Sequence, residues 1–278
     1  MDYILRDINY NSRTDNEFNL VGLGDVHFGN PGCDVDYFMR TVKWIYDHPN
    51  TYWIGMGDYC ECIEKQDKRF NWDHVNKDFF TPQQQFRWME EQLKPIASQC
   101  IGLLDGNHEI AYWTKFSHNY TDSMAYNLGV PYRGIDAYIR LRFNRQSEGM
   151  KRPAVNTFNI YAHHGYSGSR GVGGKVKSLI DLASVYHGCD LYLCGHTHAK
   201  GPIMPQITTE YNDAMVKVTK EMNFVYTGSF LDGHAEGIKS YAEEKGYAPL
   251  PLGSPFIRLE FKHAGNASDE TKISFFSV

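Results

Sequence analysis

Short apolar runs that end in Gly-Asp or Gly-His alternate along this chain with segments of helical period. Residues 19–25, Asn-Leu-Val-Gly-Leu-Gly-Asp, predict a buried strand that meets a loop. Val35, Phe38, Met39, Val42, Ile45 and Tyr46 then recur at helical spacing, and Pro49 stops that helix. Residues 52–58 repeat the strand and its Gly-Asp ending. Residues 60–80 are charged and aromatic and show no period. Thr81-Pro82-Gln83-Gln84 reads as a capped helix start, with Phe86, Met89 and Leu93 as the buried stripe and Pro95 as its end. A third strand over 100–104 runs into Asp105-Gly106-Asn107-His108-Glu109. Further on, 121–128 predicts a helix and 137–143 a strand. A strand over 157–162 ends at His163-His164-Gly165, and a Gly-rich loop at 168–174 precedes a helix carrying Val176, Leu179, Ile180, Ala183 and Tyr186. A strand over 190–194 ends at Gly195-His196-Thr197-His198, and strands near 224–226, 255–261 and 272–276 complete a largely β C-terminal third.

Strand–helix–strand units followed by strands predict an α/β fold: a four-layer α/β/β/α sandwich of two mixed sheets flanked by helices. Each polar cluster falls directly after a strand, where such folds collect ligand-binding groups, so the active site is expected at the strand ends. No linker or repeat divides the chain, so one domain over 1–278 is expected. Insertions at about 60–98 and 110–150 are candidates for a lid or groove.

Composition narrows the class. The 278 residues are 42% hydrophobic and 22% charged, the balance of a globular protein. No apolar run approaches the ~18 residues that span a bilayer, so no membrane partner is expected. No secretory signal opens the sequence, and the six cysteines form no CxxC, so reduced thiols and a cytoplasmic location are expected. The net charge of −5 excludes a basic nucleic-acid coat; an anionic substrate would need locally concentrated positive charge, such as metal ions.

Five clusters supply the chemistry: Asp25-x-His27, Gly57-Asp58, Gly106-Asn107-His108-Glu109, His163-His164-Gly165 and Gly195-His196-Thr197-His198. Their oxygen and imidazole donors suit Mn, Fe, Ni or Zn, and are too many for one tetrahedral ion. Residues i and i+2 of an extended segment point the same way, so Asp25 with His27 and His196 with His198 can each aim two donors at one pocket. In this order the five blocks resemble the calcineurin-like metallophosphoesterase superfamily, over about residues 25–198 and including Thr227-Gly228-Ser229-Phe230.

The resemblance implies two divalent ions, manganese being the expected one and iron, nickel or zinc the alternatives. Asp25, His27 and His198 would hold the first ion. Asn107, His163 and His196 would hold the second, with His164 as the fallback for His163, and Asp58 would bridge the pair. Such a site acidifies a shared water and clamps phosphoryl oxygens. His108 would face the substrate as the catalytic acid, oriented by Asp105 or Glu109. Weaker candidates for substrate contact are Arg170 on the Gly-rich loop, Tyr112 and Trp113 just after the His108 block, and His164.

Other features have plainer readings. The segment 168–175 fails the phosphate-loop pattern, with Ser169 where glycine is needed and Val176 after Lys175. Cys60 and Cys62 read as packed thiols, Glu61 and Glu64 as a solvated face, and the aromatics at 70–80 and 112–120 mainly as packing. Glu61 stands where purple acid phosphatases carry a ligating Tyr. The sequence Asp58-Tyr-Cys-Glu-Cys also lacks the Asp-Arg-Gly of protein phosphatases. The expectation is therefore a phosphodiesterase acting on nucleotide-type or other small phosphoesters. A DNA nuclease is the alternative, and a non-catalytic scaffold is a remote one. The oligomeric state is open.

Overall fold

A computed structural model of the chain describes residues 3–11, 17–67, 70–72, 75–146, 154–166, 168–169, 171–211, 215–262 and 270–278. Its strands are β1 (Tyr3–Asn11), β2 (Glu17–Leu23), β3 (Thr51–Gly55), β4 (Cys100–Leu103), β5 (Asp136–Gln146), β6 (Ala154–His163), β7 (Leu191–Cys194), β8 (Lys200–Pro202), β9 (Gln206–Tyr211), β10 (Lys217–Thr227), β11 (Phe256–Lys262) and β12 (Glu270–Phe276). The helices are α1 (Val35–Asp47), α2 (Pro82–Leu93), α3 (Asn107–Phe116), α4 (Tyr120–Leu128), α5 (Val172–Asp181) and α6 (Tyr241–Lys245).

Two mixed sheets result. One has the order β1-β5-β6-β7-β10-β8, with β9 also paired to β10; the other has the order β12-β11-β2-β3-β4. Each sheet covers one face of the other with apolar side chains. Ile4, Ile8, Ile139, Leu141, Ile160 and Leu193 from the first meet Leu20, Ile54, Ile101, Ile257 and Leu259 from the second. The outer face of the second sheet packs Val21, Trp53 and Leu103 against α1, α2 and α4 through Phe38, Ile45, Phe86, Met89 and Met124. The outer face of the first packs Tyr161, Tyr192 and Phe224 against Leu179 of α5 and Leu182 of the turn that follows it. The layers are therefore helix, sheet, sheet, helix. Strands β4 and β7 are buried on both faces, which is why they read as continuous apolar runs.

Local chemistry sets the elements. In α1, Phe38, Thr41, Val42 and Ile45 form the buried stripe, Asp34 accepts the Tyr37 N–H as N-cap, and Tyr46, at the edge of the stripe, is exposed. At α2 the Thr81 hydroxyl accepts from Gln84 N while the Gln84 side chain accepts from Thr81 N, closing the expected capping box ahead of Pro82. Trp53 is fully buried, and its indole N–H donates to the Ile96 carbonyl at 2.8 Å. Trp53→Ala should destabilise the fold by roughly 3–5 kcal/mol, measured as a lowered denaturant midpoint; an unchanged midpoint would show that the site collapses around the loss.

The segments expected to form a lid or groove are largely structural. Helices α2 and α4 cover the outer face of one sheet, and β5 lies inside the other between β1 and β6. Among the described residues, the loop after β3, helix α3 and the loop before β5 remain beside the strand ends, the last through Asp105 N to the Gly134 carbonyl and His164 N to the Ile135 carbonyl.

Candidate metal centre

Strand register brings the polar clusters to one level. Leu23 pairs with Gly55 and Gly55 with Leu103, so β2, β3 and β4 end side by side and release Asp25, Asp58 and Asn107 together. On the other sheet His163 pairs with Cys194, so β6 and β7 end together and release His164 and His196. The donors thus come from both sheets and meet over the seam between them.

The backbone is bent to aim them. Asp25, His27, Asp58, His196 and His198 all have left-handed φ values, between 47° and 63°. They make up five of the eight non-glycine residues with positive φ among the described residues. Each such residue costs on the order of 1–2 kcal/mol, and strain of this kind persists where surrounding contacts enforce it. Here those contacts are Asp25 N to the Gly57 carbonyl, Val26 N and His27 N to the Asp58 carbonyl, and Phe230 N with the Ser229 hydroxyl to the Asp25 carbonyl. Both Asp25 carboxylate oxygens in turn accept from His196 N, at 3.1 and 3.0 Å, tying the two sheets together at the site.

Three overlapping sets of donors share this space. Asp25, His27 and His198 place ligand atoms within 4.8 Å of one another, and so do Asp58, His164 and His196, with His27, Asp58 and His108 overlapping both. In the first group His27 Nε2 and His198 Nε2 face each other at 3.2 Å, with Asp25 Oδ1 3.5 Å from His198 Nε2. In the second, Asn107 Oδ1 lies 2.7 Å from His196 Nδ1 and 3.1 Å from His164 Nε2. Asp58 Oδ2 stands between the groups, 3.5 Å from His164 Nε2 and 3.8 Å from His27 Nε2.

Of the adjacent histidines, the structure brings His164 to the cluster and not His163. His163 is the last residue of β6, and its Nδ1 accepts from Gly165 N. The chain turns there, so the next side chain points inward. His164 is fully buried and donates Nδ1–H to the Met56 carbonyl at 2.7 Å, which leaves Nε2 as the donor facing Asp58 and Asn107. A carbonyl partner on one ring nitrogen is how a metal-ligating imidazole is oriented.

Glu109 braces the bridging loop. Its carboxylate, buried at the first turn of α3, accepts from the backbone N–H groups of Asp58, Tyr59, Cys60 and Gly106. Gly106 sits under the Asp58 side chain, and a Cβ there would lie 2.0 Å from Asp58 Oδ1 and 2.2 Å from Asp58 N. Gly106→Ala should therefore displace the Asp58 carboxylate and weaken divalent-metal affinity by ~10–100-fold. Isothermal titration with Mn²⁺ checks this, and wild-type affinity would show that Asp58 is not held where it stands.

Charge in the pocket is shared among the imidazoles. Burial resists ionisation of His27, but the Glu61, Asp58 and Asp25 carboxylates push it up to about 9. Burial likewise opposes charge on His164, yet Asp58 and Asp25 raise it to about 10. His196 is pulled down to about 4 by burial and by His164, and His198 well below its ordinary value by burial and by His27. Burial alone would raise Asp58, but the surrounding His164, His108 and His27 hold it well below the usual carboxylate range. The buried carboxylates thus favour positive charge on His27 and His164, a charge that divalent cations would supply instead.

His108 adjoins this cluster, its ring centroid 4.7 Å from that of His27. Its backbone N–H donates to Asp58 Oδ1 at 2.9 Å, and its Nδ1 lies 2.6 Å from the Glu61 carbonyl. Neither expected partner orients the ring: Glu109 is taken up by backbone amides, and Asp105 accepts from Tyr132 and Asn119. A carbonyl can only accept, so Nδ1 carries hydrogen. Glu61 itself is buried, contrary to the solvated face expected, with Oε2 at 3.3 Å from His27 Nδ1. Cys60 and Cys62 are buried in the core against the helices, and all six cysteines are free thiols. Tyr112 packs on Phe116 and Tyr120, Trp113 is exposed on α3, and Arg170 lies outside the described residues.

No family model matches this chain, and no curated protein does. Among solved structures, Vps29 of Chaetomium thermophilum is similar at 11% identity and a TM-score of 0.36, over 94% of this chain and 97% of that one. A conserved uncharacterized protein of Streptococcus pneumoniae, described as a predicted phosphoesterase, is similar at 10% identity and a TM-score of 0.35, over 94% of this chain and 90% of that one. The functional reading rests on the site residues themselves.

Those residues fit a pair of divalent ions. Imidazole nitrogens, an amide oxygen and buried carboxylates lie within a few ångströms of one another, and oxygen–imidazole sets of this kind suit borderline metals. Asp25, His27 and His198 would hold one ion, Asn107, His164 and His196 the other, and Asp58 both.

Proposed function

We propose that this chain is a metal-dependent phosphoesterase that hydrolyses phosphodiesters of nucleotide-type or other small substrates. The observation that supports it is the convergence of seven donor side chains from five strand ends into two groups sharing Asp58, with His108 beside them. Bound divalent ions would supply Lewis acidity toward phosphoryl oxygens and lower the pKa of water. The chain's own residues do the rest. Asp58, braced through its loop by Glu109, fixes the distance between the two donor groups. His108, tied through Nδ1, holds a proton at Nε2 for the leaving oxygen. The left-handed loops hold the donors in place before substrate arrives, so little reorganisation is left for the reaction.

A nucleic-acid substrate is the second reading. On the loop that follows Glu61, the exposed Trp72 ring stacks with Phe80 and carries Lys65 Nζ 5.0 Å above it. An exposed indole and a cation suit base stacking. No helix among the described residues is long and apolar enough to cross a membrane.

The test is a Mn²⁺-supplemented comparison of bis-p-nitrophenyl phosphate, p-nitrophenyl phosphate, cyclic nucleotides and labelled single- and double-stranded DNA. Hydrolysis should vanish in chelator and return with Mn²⁺. A rate unaffected by chelator would contradict the metal requirement, and activity confined to DNA would replace the small-substrate reading with the nuclease one.

A further inference from the structure

Glu61 touches both His27 and His108 without belonging to either donor group. Its Oε2 is 3.3 Å from His27 Nδ1, and no hydrogen bond elsewhere satisfies either of these buried atoms. The far edge of the same ring carries Nε2, which faces His198 Nε2 at 3.2 Å and Asp58 Oδ2 at 3.8 Å. The Glu61 carboxylate is itself held, because the Asn30 side chain bonds it. Asn30 Oδ1 accepts from Gly32 N, which leaves the Asn30 amide hydrogens for Glu61. The Glu61 main chain is fixed separately. Its N–H donates to the Phe28 carbonyl at 2.9 Å, and its carbonyl lies 2.6 Å from His108 Nδ1.

We propose that Glu61 is the positioning residue of this centre: its carboxylate holds His27 with Nε2 toward the cation, and its carbonyl holds His108 with Nε2 toward the substrate. The inference rests on the metal-centre reading above and adds the group that sets two of its imidazoles. A carboxylate on the outer nitrogen of a ligating histidine fixes the ring's orientation and raises its basicity. The two duties sit on different parts of one residue, so they separate experimentally. Substitution removes the carboxylate and leaves the carbonyl.

Metal-free wild-type, E61Q and E61A proteins are titrated with Mn²⁺, with free Mn²⁺ read by electron paramagnetic resonance. Wild type should take up two ions. In E61A one of the two should bind ~10–100-fold more weakly while the other is unchanged. In E61Q, whose amide oxygen still accepts from His27 but carries no charge, the loss should be smaller, about tenfold at most. At saturating Mn²⁺ both variants should recover kcat on a diester with a poor leaving group, whose departure needs the His108 proton, because the carbonyl still holds His108. Should E61A fail to fold by circular dichroism, E61Q decides alone. Wild-type uptake of two ions with unchanged affinities in the folded variants would overturn the Glu61 assignment only. Wild-type protein that takes up no Mn²⁺ would overturn the metal-centre reading and this assignment with it.

Discussion

Asp58→Asn should abolish turnover, with kcat/KM falling on the order of 10³-fold or more, and should reduce Mn²⁺ uptake below two ions per chain. The geometry leaves the amide no harmless orientation. Oδ1 accepts the His108 backbone N–H, and Oδ2 faces His164 Nε2 and His27 Nε2. An NH₂ in the first position meets another donor. In the second it points hydrogens where cations should sit. The fold should survive, because the main-chain bonds from Val26 and His27 to the Asp58 carbonyl do not involve the side chain. Steady-state kinetics with a metal count on the purified variant provides the check. Full activity with two ions bound would refute the shared-ligand role.

His108→Ala should separate binding from chemistry. His108 Nδ1 meets a main-chain carbonyl, and the backbone N–H that holds Asp58 Oδ1 remains after substitution. Both ions should therefore bind with near wild-type affinity. Turnover should fall by ~10²–10⁴-fold for diesters with poor leaving groups, and much less for p-nitrophenolate, which departs without a proton. A leaving-group series measures the difference. An equal loss across the series would assign His108 to electrostatic stabilisation instead of proton donation.

Much of this arrangement could be read from residue order because strand and ligand loop are written consecutively. In β2, β3 and β7 an apolar run stops at a Gly and a donor follows, and after β4 and Leu104 only Asp105 and Gly106 stand before Asn107, so the hydrophobic pattern itself locates the site. The α2 boundary was equally plain, since Thr81, Pro82 and Gln84 each satisfy a separate requirement of a helix start. Helix α3 was not. Its first residues are the Asn107-His108-Glu109 cluster, and Glu109 is its only buried residue, so it has no apolar stripe to reveal a period. Strand β1 was missed because charged Arg6 and Asp7 interrupt its buried Ile4, Ile8 and Tyr10.

The choice between His163 and His164 depends on where a strand lets go of its neighbour, which spacing does not encode. The burial of Glu61 is hidden from the sequence for a related reason. A glutamate in a charged segment reads as solvated, and its burial follows from His27 and Asn30, residues some thirty positions away in the chain.

Asp25, His27, Asp58 and Asn107 ride on one sheet, and His164, His196 and His198 on the other. Loaded ions would then act as rivets through the seam of the sandwich. Prying the halves apart would mean surrendering them, so resistance to unfolding would climb with the logarithm of free metal concentration. Starving the protein of ions would loosen the same joint on which its chemistry depends.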